Sequence, residues 1–80
     1  RIITGTVRYK SDKSPIVGAN IIIKGTTKGT ITDLNGHYTI SVGKNDHQLT
    51  FSYVGMQSVD LNIGNKKIIN VDLEDDTYGL

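Results

Sequence analysis

Between Gly18 and Val42 the chain reads G-A-N-I-I-I-K-G-T-T-K-G-T-I-T-D-L-N-G-H-Y-T-I-S-V, three short β-prone runs set between glycine turns. Each run is too short for a helix and too polar on one side to be buried on both, which is the pattern of an antiparallel sheet. The rest of the chain continues in the same manner. Ile3, Gly5, Val7 and Tyr9 alternate with Thr4, Thr6 and Arg8, so a half-buried strand is predicted over residues 2–9. The polar segment Lys10 to Pro15 reads as a loop, because Pro15 has no ladder donor and biases Ser14 toward an extended shape.

Ala19, Ile21 and Ile23 then form an inward row against Asn20, Ile22 and Lys24, which leaves Ile22 on the outer face. Gly25-Thr26-Thr27 turns the chain into a further run over residues 28–32. Asp33-Leu34-Asn35-Gly36 is the strongest turn signal: Asp33 can bond its own backbone, and Asn-Gly accepts the positive φ that a tight hairpin requires. Tyr38, Ile40 and Val42 alternate next, Gly43 to Asp46 breaks the run, and Leu49, Phe51 and Tyr53 resume it. If that break closes a hairpin, Val42 faces His47, Ile40 faces Leu49 and Tyr38 faces Phe51. Gly55-Met56-Gln57 separates the next run (Val59, Leu61, Ile63), and Gly64-Asn65-Lys66 separates the last (Ile69, Val71, Leu73). Seven strands of five to eight residues, divided by Gly and Asn turns, predict an all-β two-sheet sandwich.

Composition fits one small folded unit. Eighty residues bury only about 60% of the surface of the unfolded chain, so the core must be compact. With 36% hydrophobic residues, 21% charged residues and one proline, the chain does not have the composition of a disordered segment. Nine basic against eight acidic residues give a formal charge of +1, no electrostatic footprint for nucleic acid or an anionic membrane. Without cysteine there is neither a disulfide frame nor a thiolate metal site. The longest apolar run, Ile21-Ile22-Ile23, falls far short of the roughly 20 residues of a membrane helix. No apolar signal segment opens the chain at Arg1, and a mature exported fragment would lack one anyway.

Candidate chemistry is sparse. Asp33-x-Asn35-Gly36 looks like the start of a calcium loop, but the next acid is Asp46, beyond a strand and a turn, so a plain turn is the better reading. In the hairpin register His37 and His47 sit at opposite ends of one strand, roughly 17 Å apart and too far to share a metal. Ser41 and Ser52 have no base in motif context, and Gly25-x-x-x-Gly29 is not followed by the Gly-Lys-Ser/Thr of a phosphate cradle. Tyr9, Tyr38 and Tyr53 fall on inward rows and read as core residues with the hydroxyl at the rim, while Tyr78 is placed in a tail. Glu74-Asp75-Asp76 reads as a solvated strand end that discourages pairing with a neighbour. No catalytic residue, cofactor or metal is expected. The domain is expected over residues 1–76, with 77–80 a tail or the start of a linker.

Several motifs carry a family resemblance. Ile3-Thr4-Gly5-Thr6-Val7 is followed by Pro15-x-x-Gly18-Ala19-Asn20-Ile21-x-Ile23-Lys24-Gly25-Thr26-x-x-Gly29-x-x-Thr32-Asp33-x-x-Gly36-x-Tyr38. Leu49-Thr50-Phe51-Ser52-Tyr53-Val54-Gly55 and Asn70-Val71-x-Leu73-Glu74 come later. Together they resemble the carboxypeptidase regulatory-like domain, most closely the form at the N-terminus of SusC-like TonB-dependent transporters of Bacteroidetes-type outer membranes. The resemblance implies a seven-stranded, transthyretin-like Greek-key sandwich on the periplasmic face, ahead of a TonB box, a plug and a barrel. Its partners would be that plug and barrel together with periplasmic energy-coupling or assembly proteins, without nucleic acid or membrane insertion. Gly18, Gly25, Thr26, Gly29, Thr32, Asp33, Gly36 and Gly55 would be its structural turn residues. Thr77-Tyr78-Gly79-Leu80 does not supply the valine-rich segment of a TonB box, and Lys10 to Ser14 departs from the usual Asp-x-x-Gly-x-Pro loop. The related Cna-type domains carry a Lys-to-Asn isopeptide bond. None is expected here, where the only Glu is Glu74 at a strand end. The alternative to a transporter domain is a stand-alone or tandem module that binds a protein or glycan at a sheet edge.

Overall fold

The computed structural model describes residues 1–76. Seven strands follow one another: β1 (Ile2–Tyr9), β2 (Asn20–Ile23), β3 (Gly29–Ile31), β4 (His37–Ser41), β5 (Gln48–Ser52), β6 (Val59–Asn62) and β7 (Val71–Leu73). They form a three-stranded sheet in the order β4-β1-β7 and a four-stranded sheet in the order β3-β2-β5-β6. Two connections, β2–β3 and β5–β6, are antiparallel hairpins within a sheet, and the other four cross between sheets in Greek-key fashion. The all-β sandwich expected from the alternating rows is therefore the fold. Four strands are shorter than the five to eight residues expected: β2 and β6 have four, β3 and β7 three. Chain that leaves one sheet for the other loses its ladder partners before the alternation in its sequence ends.

The inward rows meet between the sheets. Ile3, Val7, Ile21, Leu49, Phe51 and Leu73 are fully enclosed, and Tyr38, Ile40 and Val71 are buried beside them. Each such side chain contributes about 1.5–3 kcal/mol of transfer free energy, set against the conformational entropy of ordering the chain. Ile16, from the segment read as a link between strands, is as deeply buried as any of them. Tyr9 and Tyr53 are half-buried against the rim of the core, with their rings in a T-shaped contact at 6.5 Å.

The pairing of β4 differs from the sequence reading. No hairpin joins β4 to β5; β4 pairs with β1, and β5 lies between β2 and β6 in the opposite sheet. Tyr38 and Phe51 do face each other, ring to ring at 5.6 Å, but across the interior and not along a ladder. Alternation fixes which face of a strand is apolar, and two apolar faces meet equally well from opposite sheets. For the same reason the three runs of residues 18–42 do not share one antiparallel sheet: β2 and β3 pair, and β4 belongs to the other layer. A pairing that the sequence leaves open is at the edge of the smaller sheet, where β7 runs parallel to β1 with Val7 opposite Val71 and Tyr9 opposite Leu73.

Gly5 makes that edge possible. The Ile69 amide donates to the Thr4 carbonyl at 2.9 Å, and the Tyr38 hydroxyl donates to the Ile69 carbonyl at 2.6 Å. A Cβ on Gly5 would lie 1.9 Å from that same carbonyl oxygen. Burial pushes the Tyr38 phenol from an ordinary 10.0 up to about 12. The folded state keeps this proton where the unfolded chain has released it. The stability this one group contributes is therefore fully present below about pH 10 and is lost as pH rises toward 12, by on the order of 2 kcal/mol. Urea titrations across this range should show a shallower alkaline decline for Tyr38→Phe, which should also cost about 1 kcal/mol at neutral pH through the lost hydroxyl bond.

Candidate functional site

Three of the residues singled out by sequence, Thr32, Asp33 and Gly36, gather at the corner where β3 passes into β4. Asp33 is the centre of it. One of its carboxylate oxygens accepts from the amides of Asn35 (2.8 Å) and His37 (3.0 Å). Its own amide donates to the His37 carbonyl at 2.9 Å, and its carbonyl accepts from the Gly36 amide at 3.0 Å. The two backbone bonds, His37 first and then Asn35, hold the Asp33 carboxyl below the usual range. Only Gly36 of the Asn-Gly pair has a positive φ, 75°. The corner is thus a three-residue loop closed by a left-handed glycine, not a two-residue hairpin turn, and it joins strands of different sheets. The Gly36 carbonyl accepts from the Val7 amide at 2.8 Å, and a side chain at Gly36 would meet Val7 and Pro15. Gly36 therefore ties the corner to β1 as well.

Thr32 sits one residue earlier and is the buried polar side chain among the described residues, at 3% exposure. Its hydroxyl donates to the Ile16 carbonyl (2.5 Å) and accepts from the Ala19 amide (2.9 Å), so it satisfies both backbone groups of the link that carries Ile16 into the core. Thr32→Val keeps the shape and leaves both groups without a partner. We expect a loss of about 2 kcal/mol, read as a lower urea midpoint at unchanged slope.

The other singled-out residues shape separate turns. The Thr26 hydroxyl donates to the Ile23 carbonyl at 2.9 Å and accepts from the Lys28 amide at 3.0 Å. Gly18, Gly25 and Gly55 have positive φ with open space where a side chain would project. Gly29 lies beneath Ile22, whose Cδ1 would stand 2.5 Å from a Cβ there; this contact half-buries the isoleucine expected on the outer face.

No reaction centre is assembled from these parts. Among the described residues no three His, Asp or Glu side chains group as metal ligands, and the Asp33 oxygen that a calcium loop would use faces backbone amides. His37 and His47 do not share a strand as the hairpin register required: His37 opens β4, and His47 precedes β5 in the other sheet. Ser41 lies exposed on β4 and Ser52 half-buried on β5. Among the described residues there are grooves open to solvent. One, of about 360 Å³, is lined by uncharged groups such as Thr4, Thr6, Thr39 and Asn70 together with His37 and Ile68. Another, of about 470 Å³, has Lys10, Asp72 and Glu74 on its walls, all ion-paired: Lys10 with Glu74 at 2.5 Å, and Asp72 with Lys13 and with Arg8 at 3.5 Å. The hydrogen bond to Glu74 raises the pKa of Lys10 and the bond from Lys13 lowers that of Asp72. Both shifts move away from neutrality, opposite to what a general acid or base requires. Tyr78 and the expected tail over residues 77–80 lie outside the described residues.

A Greek-key sandwich whose polar motif residues fasten turns and links belongs to the class of small all-β sandwich domains. The chain is a member of the CarboxypepD_reg-like domain family, which matches residues 3–80. It is 46% identical over 95% of its length to the TonB-dependent receptor P26 of Formosa agariphila, and 41% identical over 79% to the TonB-dependent receptor SusC of Bacteroides thetaiotaomicron. The chain spans only 7% and 6% of those two relatives. Among solved structures it resembles a chain of a type II cohesin–X-dockerin complex from Acetivibrio cellulolyticus, with a TM-score of 0.66 and 20% identity over 89% of this chain and 51% of that one. At that identity the likeness concerns the fold alone.

Proposed function

We propose that this domain is a non-catalytic accessory unit of a SusC-like TonB-dependent outer-membrane transporter for a glycan or peptide nutrient. It stands on the periplasmic face, and its partners are the plug and barrel of the same polypeptide together with periplasmic energy-coupling or assembly proteins. The observation that carries this reading is the 46% identity, across nearly the whole chain, to a small part of a TonB-dependent receptor. Supporting it, the polar side chains of the Thr32-Asp33-x-x-Gly36 motif are taken up by backbone, Asp33 by its own turn and Thr32 by the link at Ile16 and Ala19, so the motif maintains the scaffold. In this reading the domain occupies residues 1–76, with 77–80 a tail or the start of a linker.

The test is deletion of residues 1–76 from the full-length receptor, with outer-membrane insertion, solute binding and energised uptake measured separately. Normal insertion and binding with impaired uptake supports a coupling role, and impaired insertion supports an assembly role. Insertion, binding and uptake all at full level would refute the proposal.

A further inference from the structure

The two terminal strands are neighbours, and they are parallel. β1 begins at Ile2, and β7 leads to the last described residues, so their outer ends lie at opposite ends of the shared ladder. The pairing extends well beyond the three residues of β7. The Thr4 amide donates to Lys67 at 3.0 Å, the Ile69 amide to Thr4 at 2.9 Å, and the Lys10 amide to Leu73 at 2.9 Å. Side chains lengthen it at both ends and in the middle. The Arg1 guanidinium donates to the carbonyls of Gly64 and Lys66, the Thr6 amide donates to the Asn70 side chain at 2.9 Å, and Lys10 pairs with Glu74. Nearly the whole of β1 is therefore fastened to residues 64–74.

We propose that this ladder makes the domain a load-bearing element: tension applied between the two ends of the chain is carried by β1 and β7 in shear. Pulling Arg1 one way and the chain beyond Glu74 the other loads every bond of the ladder together, so several must break in one event. A perpendicular pull on an antiparallel pair breaks its bonds one at a time and needs far less force. The Glu74–Asp76 segment is a separate fastening, held to Gly55 and Gln57 by amide–carbonyl bonds of 2.9 Å (Gln57 to Glu74, Asp76 to Gly55). This inference stands on strand geometry and does not depend on the transporter reading.

Forced unfolding reports the barrier to rupture and not the equilibrium stability, so the direction of pull is the informative variable. The chain has no native cysteine, so a handle can be placed at will. The 80-residue chain should be pulled through its two termini, and separately through its N-terminus and an Asn45→Cys handle in the turn after β4. The second geometry loads the end where Arg1 adjoins Val42, and it peels β1 from β4. The rupture force through the termini should be severalfold higher at the same loading rate. Asn70→Ala should lower that force and leave the peeling force unchanged. Equal forces in the two geometries, or a higher one through Asn45, would overturn the proposal, as would an Asn70→Ala variant that weakens both alike.

Discussion

Gly5→Ala should cost about 3 kcal/mol or more, because the added methyl group cannot be accommodated without opening the β1–β7 edge. The obstruction is backbone: the Ile69 carbonyl oxygen 1.9 Å from the new carbon, and the Tyr38 ring 2.8 Å from it. A flexible side chain could swing aside. The Ile69 carbonyl is held where it is by the Tyr38 hydroxyl, and the Ile69 amide by Thr4. Urea denaturation followed by circular dichroism should show the loss as a lower midpoint. Gly55→Ala is the comparison, since φ there is 76° and nothing crowds the position. It should cost only about 1–2 kcal/mol, the strain of a left-handed alanine. A Gly5→Ala cost equal to or below that of Gly55→Ala would mean that the strands do not approach this closely.

Phe51→Ala is the second large effect. Phe51 is fully enclosed on β5, with the Tyr38 ring against it at an interplanar angle of 69°. Removing it should cost about 3–5 kcal/mol in lost transfer energy and in the cavity left behind. A chain of 80 residues has roughly 4–12 kcal/mol in total at the usual stability per residue, so this one change approaches the whole. The midpoint in urea should fall by half or more, and near-ultraviolet circular dichroism from Tyr38 should weaken with it. Val54→Ala, at a position 84% exposed, should stay within about 0.5 kcal/mol of the parent.

The sequence made the faces of the strands legible and left their partners open. The rows Ile21–Ile23, Tyr38–Val42 and Leu49–Phe51 are all buried as their alternation requires. Which row faces which is decided by the four crossings between sheets, and the Gly43–Asp46 break carries the same residue types whether it closes a hairpin or spans two layers. The parallel β1–β7 pairing is a contact between strands far apart in sequence, and local pattern marks it only faintly. Gly5 was a hint of it, a glycine on an inward row where a side chain would be expected to fill the core. Ile16 carries no strand signal, because Pro15 and Gly18 mark its surroundings as loop. The roles of Thr32 and Asp33 were half visible: the turn chemistry of Asp33 is local, whereas the partners of Thr32 lie 13 and 16 residues away.

The central claim is that the alternating rows meet in one closed interior between two sheets, with the terminal strands side by side. Nuclear Overhauser contacts in the 15N,13C-labelled protein test it most directly. The account predicts ring-to-ring contacts between Tyr38 and Phe51 and backbone contacts between Val7 and Val71, with no backbone contacts between β4 and β5. Cross-strand Hα contacts between Ile40 and Leu49, with none between Val7 and Val71, would contradict it.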